Sequence, residues 1–250
     1  MSEPRVYVDL DLREGETVTL PEGAYHHLVV VLRRIRGDEV TLFNGHGGEY
    51  GVTLQSINKR TVVARVEQFR NVARESALGV TLAQAVSKGE RMDFTIQKAV
   101  ELGVTEIQPL VTDHVVVKLN EERWQRKQEH WQSVAVSACE QSGRTRVPRV
   151  SLVQDLRVWL TACPADSIKL VLAPGAVPAT PLKPKGQNVI LLVGPEGGLS
   201  DKELELAELC GFARLPLGPR VLRTETAGMV ALTVVQSLWG DMGSALTQGT

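Results

Sequence analysis

After about residue 77 the chain alternates short apolar runs with helix-like segments, and nothing else in it narrows the possible folds as far. Strands are expected near residues 78–86, 106–111, 169–173, 189–193 and 213–217, with helices between most of them. Apolar runs of this length, flanked by amphipathic segments, suit strands buried on both faces, so the pattern predicts an α/β fold with a mostly parallel, helix-covered sheet. One connection departs from the pattern. Residues 174–187 hold four prolines and no apolar period, which excludes an ordinary crossover helix. The long helix expected over Glu121–Ser142 starts after Asn120, a good N-cap, and stops at Gly143. Along it Trp124, Trp131, Val134, Ala135 and Ala138 fall at helical spacing, as core or subunit-contact residues.

Before residue 70 the pattern is different. Short β segments at 6–10, 17–20, 39–43, 50–54 and 61–66 are separated by turn signals such as Asn44-Gly45, Gly47-Gly48 and Asn58-Lys59-Arg60. With one helical piece over 25–34, they predict a small antiparallel barrel. Residues 70–76 are polar and read as a linker. The expected division is therefore a β-barrel domain over 1–72 and an α/β domain over 73–250, a reasonable partition for 250 residues.

Composition excludes several classes. A hydrophobic content of 43% supports a real core, and a net charge of −1 argues against a generally basic nucleic-acid coat, although RNA binding needs only a local patch. Cys139, Cys163 and Cys210 are far apart and lack ligand spacing, which disfavours a disulfide framework or a zinc site and fits a reducing cytoplasm. No apolar run approaches the roughly 18 residues of a membrane helix, and the start lacks a signal-peptide pattern. The expectation is a cytoplasmic protein with no membrane and no metal.

Two Gly- and Pro-bearing segments stand where a strand gives way to a helix: Leu191-Leu-Val-Gly-Pro-Glu-Gly-Gly-Leu-Ser200 and Leu217-Gly-Pro-Arg-Val-Leu-Arg-Thr-Glu-Thr-Ala227. Open α/β sheets bind ligands at such positions. Ser200 with Glu203 reads as a capping box opening the next helix. The first loop matches neither phosphate-cradling nor dinucleotide-binding spacing, and no nucleophile elbow is present, so ATP, NAD and hydrolysis are disfavoured. Arg220, Arg223 and Glu225 are either a solvated cluster or a site for an anion or a base edge, given the fixed donor fork of guanidinium. Glu140-Gln-Ser-Gly-Arg144 is a third polar group, alternatively a helix C-cap, and Lys98 with Glu101 reads as a surface ion pair. Basic residues cluster at Arg33, Arg34 and Arg36, at Lys59 and Arg60, at Arg123, Arg126 and Lys127, and at Arg144, Arg146 and Arg149. A small β domain carrying the first two groups suits docking to folded RNA.

In this order and spacing, His27-Leu-Val-Val-Val-Leu-Arg33, Gln97-Lys-Ala-Val-Glu-Leu-Gly-Val104, Glu140-Gln-Ser-Gly-Arg144 and the two glycine segments make the chain resemble the RsmE family of ribosomal RNA methyltransferases, of the SPOUT class. The resemblance implies a PUA-like N-terminal domain, a trefoil-knotted α/β domain and a homodimer. It also implies transfer of methyl from S-adenosylmethionine to N3 of a uridine in the 16S RNA of the small ribosomal subunit. By that resemblance, backbone groups around Leu172, Gly194, Gly198, Leu217, Gly218 and Leu222 grip the cofactor. Arg223 stabilises charge on the uracil, and Glu225, Glu140 or solvent takes the N3 proton. The RNA contacts fall to Arg33, Arg34, Lys59, Arg60 and Arg144. A non-catalytic RNA-binding factor and a phosphate-using ligase or kinase stand as the alternatives.

Overall fold

Residues 3–115, 119–173 and 188–243 are described in a computed structural model, which divides the chain into two units. The first unit comprises Met1–Glu75 together with Cys139–Val147. Strands β1 (Arg5–Tyr7), β2 (Thr17–Leu20), β3 (Glu39–Phe43), β4 (Glu49–Asn58) and β5 (Thr61–Arg70) form one sheet in the order β1-β3-β4-β5-β2. Its pairings are antiparallel except that β1 runs parallel to β3. The exception is allowed because the connection between them carries β2 and the helical piece, long enough for a crossover. Alternation along β5 buries Val62, Ala64 and Val66. They share one core with Val6 of β1 and Leu20 of β2, so the two edge strands close round a common interior.

The helical piece comprises α1 (Glu22–Tyr25) and a π-helical turn, His26–Val31, whose Leu28 is fully buried. At its end Arg33 takes φ 54°, and the Arg34 N–H reaches back to the Leu28 carbonyl at 2.9 Å. Glycine usually fills that left-handed position.

Charge pairing ties residues 139–147 into this unit. Buried Glu49 accepts hydrogen bonds from Arg5 at 3.2 Å and Arg74 at 3.1 Å, while the Arg5 guanidinium lies 4.7 Å from the Phe43 ring centre. Arg5 also donates to the carbonyls of Cys139 and Arg144, at 3.0 and 3.2 Å. Glu75 accepts from the Arg144 guanidinium at 2.6 Å and from the N–H groups of Thr145 and Arg146 at 2.9 and 3.1 Å. The polar run at 70–76 is thus no slack linker, because Arg74 and Glu75 are both engaged.

In the second unit, β6 (Gly79–Ala85), β7 (Glu106–Val111), β8 (Arg149–Val150), β9 (Gln154–Asp155), β10 (Ile168–Leu172), β11 (Asn188–Val193) and β12 (Ala213–Leu215) make a seven-stranded sheet. The order is β12-β10-β11-β6-β7-β8 with β9 beside β7, and all its pairings are parallel. Helices α2 (Arg91–Glu101), α3 (Glu121–Ser142), α4 (Leu156–Thr161), α5 (Asp201–Leu209) and α6 (Thr224–Trp239) complete it. β11 is buried from Val189 to Val193, as a strand covered on both faces must be. The Asn120 side chain accepts the Arg123 N–H at 3.1 Å and caps α3, while residues 139–142 of that helix cluster with the first unit. Residues 174–187, and with them the path on which the expected knot depends, lie outside the described residues.

Candidate active site

The carboxyl ends of β10, β11 and β12 open onto a cavity of about 430 Å³. All six residues expected at the cofactor, Leu172, Gly194, Gly198, Leu217, Gly218 and Leu222, line it, and so do Arg223 and Glu225. Sheet topology explains the meeting, since β10 lies between β11 and β12 and runs parallel to both, so the carboxyl ends of all three strands point the same way. At Gly194 a Cβ would stand 3.0 Å from the Leu199 nitrogen and 3.2 Å from the Gly198 carbonyl carbon, so a side chain there would make the loop's own backbone give by a few tenths of an ångström. Gly218 sits at φ 87°, where other residues are strained.

Charge in the cavity is left open to a ligand. Arg220 and Arg223 are exposed on the lining, and among the described residues neither side chain has a hydrogen bond or ion pair. Among the described residues, the buried Oε2 of Glu225 has no donor. A buried carboxylate oxygen left unpaired is costly, so this one is suited to a donor brought by what binds.

Around the glycine loop the backbone is tied on two sides. Glu196 accepts from the Lys88 N–H at 3.3 Å and from Arg91 at 2.9 Å. Burial pushes this carboxyl up, but hydrogen bonds from its own backbone, Lys88 and Arg91 outweigh that and hold it below its ordinary value. The tether therefore persists at neutral pH and is lost only as pH falls through the lowered carboxyl range. On the other side, the Ser200–Glu203 capping box forms as expected. Glu203 also accepts the Asp113 N–H at 2.8 Å, and the Asp113 carboxylate takes hydrogen bonds from Arg157 at 2.7 Å and Ser200 at 2.8 Å. Those two bonds, Arg157 first, hold the Asp113 carboxyl below its usual range. His114 Nδ1 lies 3.0 Å from the Gly198 carbonyl, which can only accept, so Nδ1 carries the proton. The sequence gives no sign of a role for Asp113 or His114, because their partners lie 44 to 90 residues away.

Two expected site residues fall elsewhere. Glu140 does not line the cavity, since its Oε1 accepts the Tyr7 N–H at 3.0 Å in the first unit. Arg144 is buried, with its guanidinium paired to Glu75. Arg33, Lys59 and Arg60 are exposed, whereas Arg34 is half-buried beside Asp38. Lys98 and Glu101 pair at 2.8 Å, and burial pushes the Cys139 thiol up to about 12, leaving it unreactive.

The family of RNA methyltransferase domains matches residues 74–236, and that of RNA methyltransferase PUA domains matches residues 20–67. The chain is 33% identical over 242 residues to the ribosomal RNA small subunit methyltransferase E of Buchnera aphidicola (subsp. Schizaphis graminum), covering 96% of this chain and 98% of that one. It is 34% identical to the protein of that name from Bacillus subtilis, covering 92% and 95% of the two chains. Among solved structures, the methyltransferase E of Neisseria gonorrhoeae bound to S-adenosyl methionine superposes with a TM-score of 0.90 at 39% identity, covering 96% of this chain and all of that one. With both domain families matched in order and similarity running nearly end to end, this chain belongs to the ribosomal RNA small subunit methyltransferase E family.

Proposed function

We propose that the protein transfers methyl from S-adenosylmethionine to N3 of a uridine in the 16S RNA of the small ribosomal subunit. One observation carries the reading: a single cavity gathers both glycine loops, two arginines and a carboxylate oxygen that, among the described residues, have no protein partner. Its volume lies within the range of small-molecule sites. Leu172, Leu217 and Leu222 suit the flat faces of an adenosine, and the backbone at Gly194, Gly198 and Gly218 allows close approach. When bound, the cofactor supplies an electrophilic methyl whose leaving sulfide is neutral, so no metal is required and alignment dominates. The remaining difficulty is the uracil N3 proton. Arg223 stabilises negative charge on a uracil carbonyl oxygen, and Glu225, whose buried oxygen lacks a donor, accepts the proton.

Residues 1–72 serve as the RNA-docking domain and 73–250 as the methyltransferase domain, acting as a homodimer in the cytoplasm. Exposed Phe94 of α2 and Leu238 of α6, on two helices that pack together, support a subunit contact. The deciding experiment maps methylated uridines in ribosomal RNA from cells with and without the protein. A methylated N3 that disappears with the protein is expected, and an unchanged map would overturn the reading.

Cofactor binding is testable separately. Gly194→Val drives a branched side chain into the Leu199 backbone. It should weaken S-adenosylmethionine binding by about tenfold, roughly 1.4 kcal/mol, in calorimetric titration of a folded variant. Unchanged affinity would move the cofactor away from this loop.

A further inference from the structure

Behind the lining residues Thr224 and Gly194 lies a buried glutamine that belongs to none of the motifs. Gln84, near the end of β6, is fully buried, and its Nε2 donates to the Ala85 carbonyl at 3.0 Å and to Thr224 Oγ1 at 2.9 Å. Thr224 Oγ1 in turn donates to the Gly194 carbonyl at 2.6 Å. The polarity of this chain is fixed by chemistry. A carbonyl only accepts, so the single threonine proton goes to Gly194, and the threonine oxygen must then receive a proton from the amide nitrogen of Gln84. Turning the amide over would bring two acceptors to one hydroxyl and forfeit the bond to Ala85.

That orientation leaves Gln84 Oε1 buried and, among the described residues, without a donor. It faces Gly228 on α6, where a Cβ would lie 3.5 Å away. Native proteins rarely leave such an atom, and a leucine here would avoid the cost. What the glutamine provides instead is a link between three segments: β6, the Gly194 loop after β11, and the first residue of α6.

The link matters because α6 begins without a side-chain cap. Its N-cap residue is Arg223, which makes no capping hydrogen bond. Thr224 lies between Arg223 and Glu225, and Gly194 opens the glycine loop. The bond from Thr224 to Gly194 therefore sets the spacing between the proposed cofactor loop and the proposed chemical groups.

We propose that Gln84 is a positioning residue for methyl transfer, holding Thr224 so that the Gly194 loop and the Arg223–Glu225 turn stay in register. This rests on the methyltransferase reading given above. Four variants test it: Gln84→Leu, Thr224→Val, Thr224→Ser and the Gln84→Leu/Thr224→Val double. Each is compared with wild type by single-turnover methylation of small-subunit RNA, by calorimetric titration with S-adenosylmethionine, and by amide hydrogen exchange over 191–200 and 222–228.

Gln84→Leu should slow methyl transfer roughly tenfold, as misplacement of reacting groups does, with a smaller loss of cofactor affinity and faster exchange in both segments. Thr224→Ser, which keeps the hydroxyl, should recover most of the rate lost in Thr224→Val. The double variant should be no slower than Thr224→Val alone, because Gln84 acts through that hydroxyl. Wild-type rate and exchange in Gln84→Leu, or additive losses in the double, would overturn the proposal while leaving the methyltransferase reading intact. Should Gln84→Leu fail to fold, the threonine pair decides, and equal rates for Thr224→Val and Thr224→Ser would overturn it. A wild-type protein that transfers no methyl to this RNA would sink both.

Discussion

Arg223→Ala should lower single-turnover methylation of the ribosomal substrate by roughly 100-fold or more, the scale of losing one preorganised donor to a developing negative charge. Uracil N3 is a weakly acidic imide that stays mostly protonated at neutral pH, so transfer to it requires an environment favouring the anion. Arg223 lines the cavity and is exposed, and among the described residues it has no protein partner whose loss would complicate the variant. Cofactor affinity should change little. The pH dependence gives the sign: more uracil ionises unaided as pH rises, so the deficit of the variant should shrink at high pH and widen at low pH. A variant with normal turnover at neutral pH would remove Arg223 from the chemistry.

Much of the fold is legible in the sequence because local signals agree with tertiary demands. Thr17–Leu20, Glu39–Phe43, Glu106–Val111 and Glu121–Ser142 have the bounds that their patterns predict, and Asn120 and Ser200 cap the helices they precede. β4 and β5 are longer than expected, Glu49–Asn58 and Thr61–Arg70 in place of 50–54 and 61–66. The extra residues, among them Ser56, Asn58, Glu67 and Gln68, are largely polar. They continue the ladder through two register shifts, and a hydrogen-bonded backbone leaves no apolar period to read.

The cavity was legible for a different reason. Glycine and proline announce strand-to-helix loops, and a parallel sheet sends such loops to one end. Polar residues whose partners are distant give no such signal. Glu140 and Arg144 look like site residues in sequence, yet one caps the Tyr7 backbone and the other is buried against Glu75. Gln84, Asp113 and His114 look ordinary, yet each supports the glycine loop or the turn beside it. Charge alone could not sort these cases, because burial decides whether an arginine is offered to a ligand or spent within the protein.

Removing three charges from the first unit, as Arg33→Gly, Lys59→Ser and Arg60→Gly together, should weaken binding to small-subunit RNA on the order of 100-fold near 0.1 M salt. Each phosphate contact contributes roughly 0.7 to 0.9 to the log–log salt slope and about as many powers of ten at that concentration, so three contacts account for at least about 100-fold and the slope should flatten by about 2 to 3. The choice of glycine comes from backbone geometry. Among the described residues, the two non-glycine residues with positive φ are Arg33 at 54° and Arg60 at 64°, both exposed. An L-residue held there costs about 1–2 kcal/mol that glycine would avoid, so retaining arginine at both turns is economical only if the side chain is used. Arg60 meets Glu22 at 3.7 Å on the open surface, a contact worth too little to justify the strain. Glycine at these positions removes the charge and relieves the backbone at once, so the variant should fold at least as well as wild type while binding RNA more weakly. Filter binding across a salt series, beside a thermal melt, separates the two effects. Undiminished affinity with an unchanged slope would mean that these turns are structural corners and that the RNA is held elsewhere.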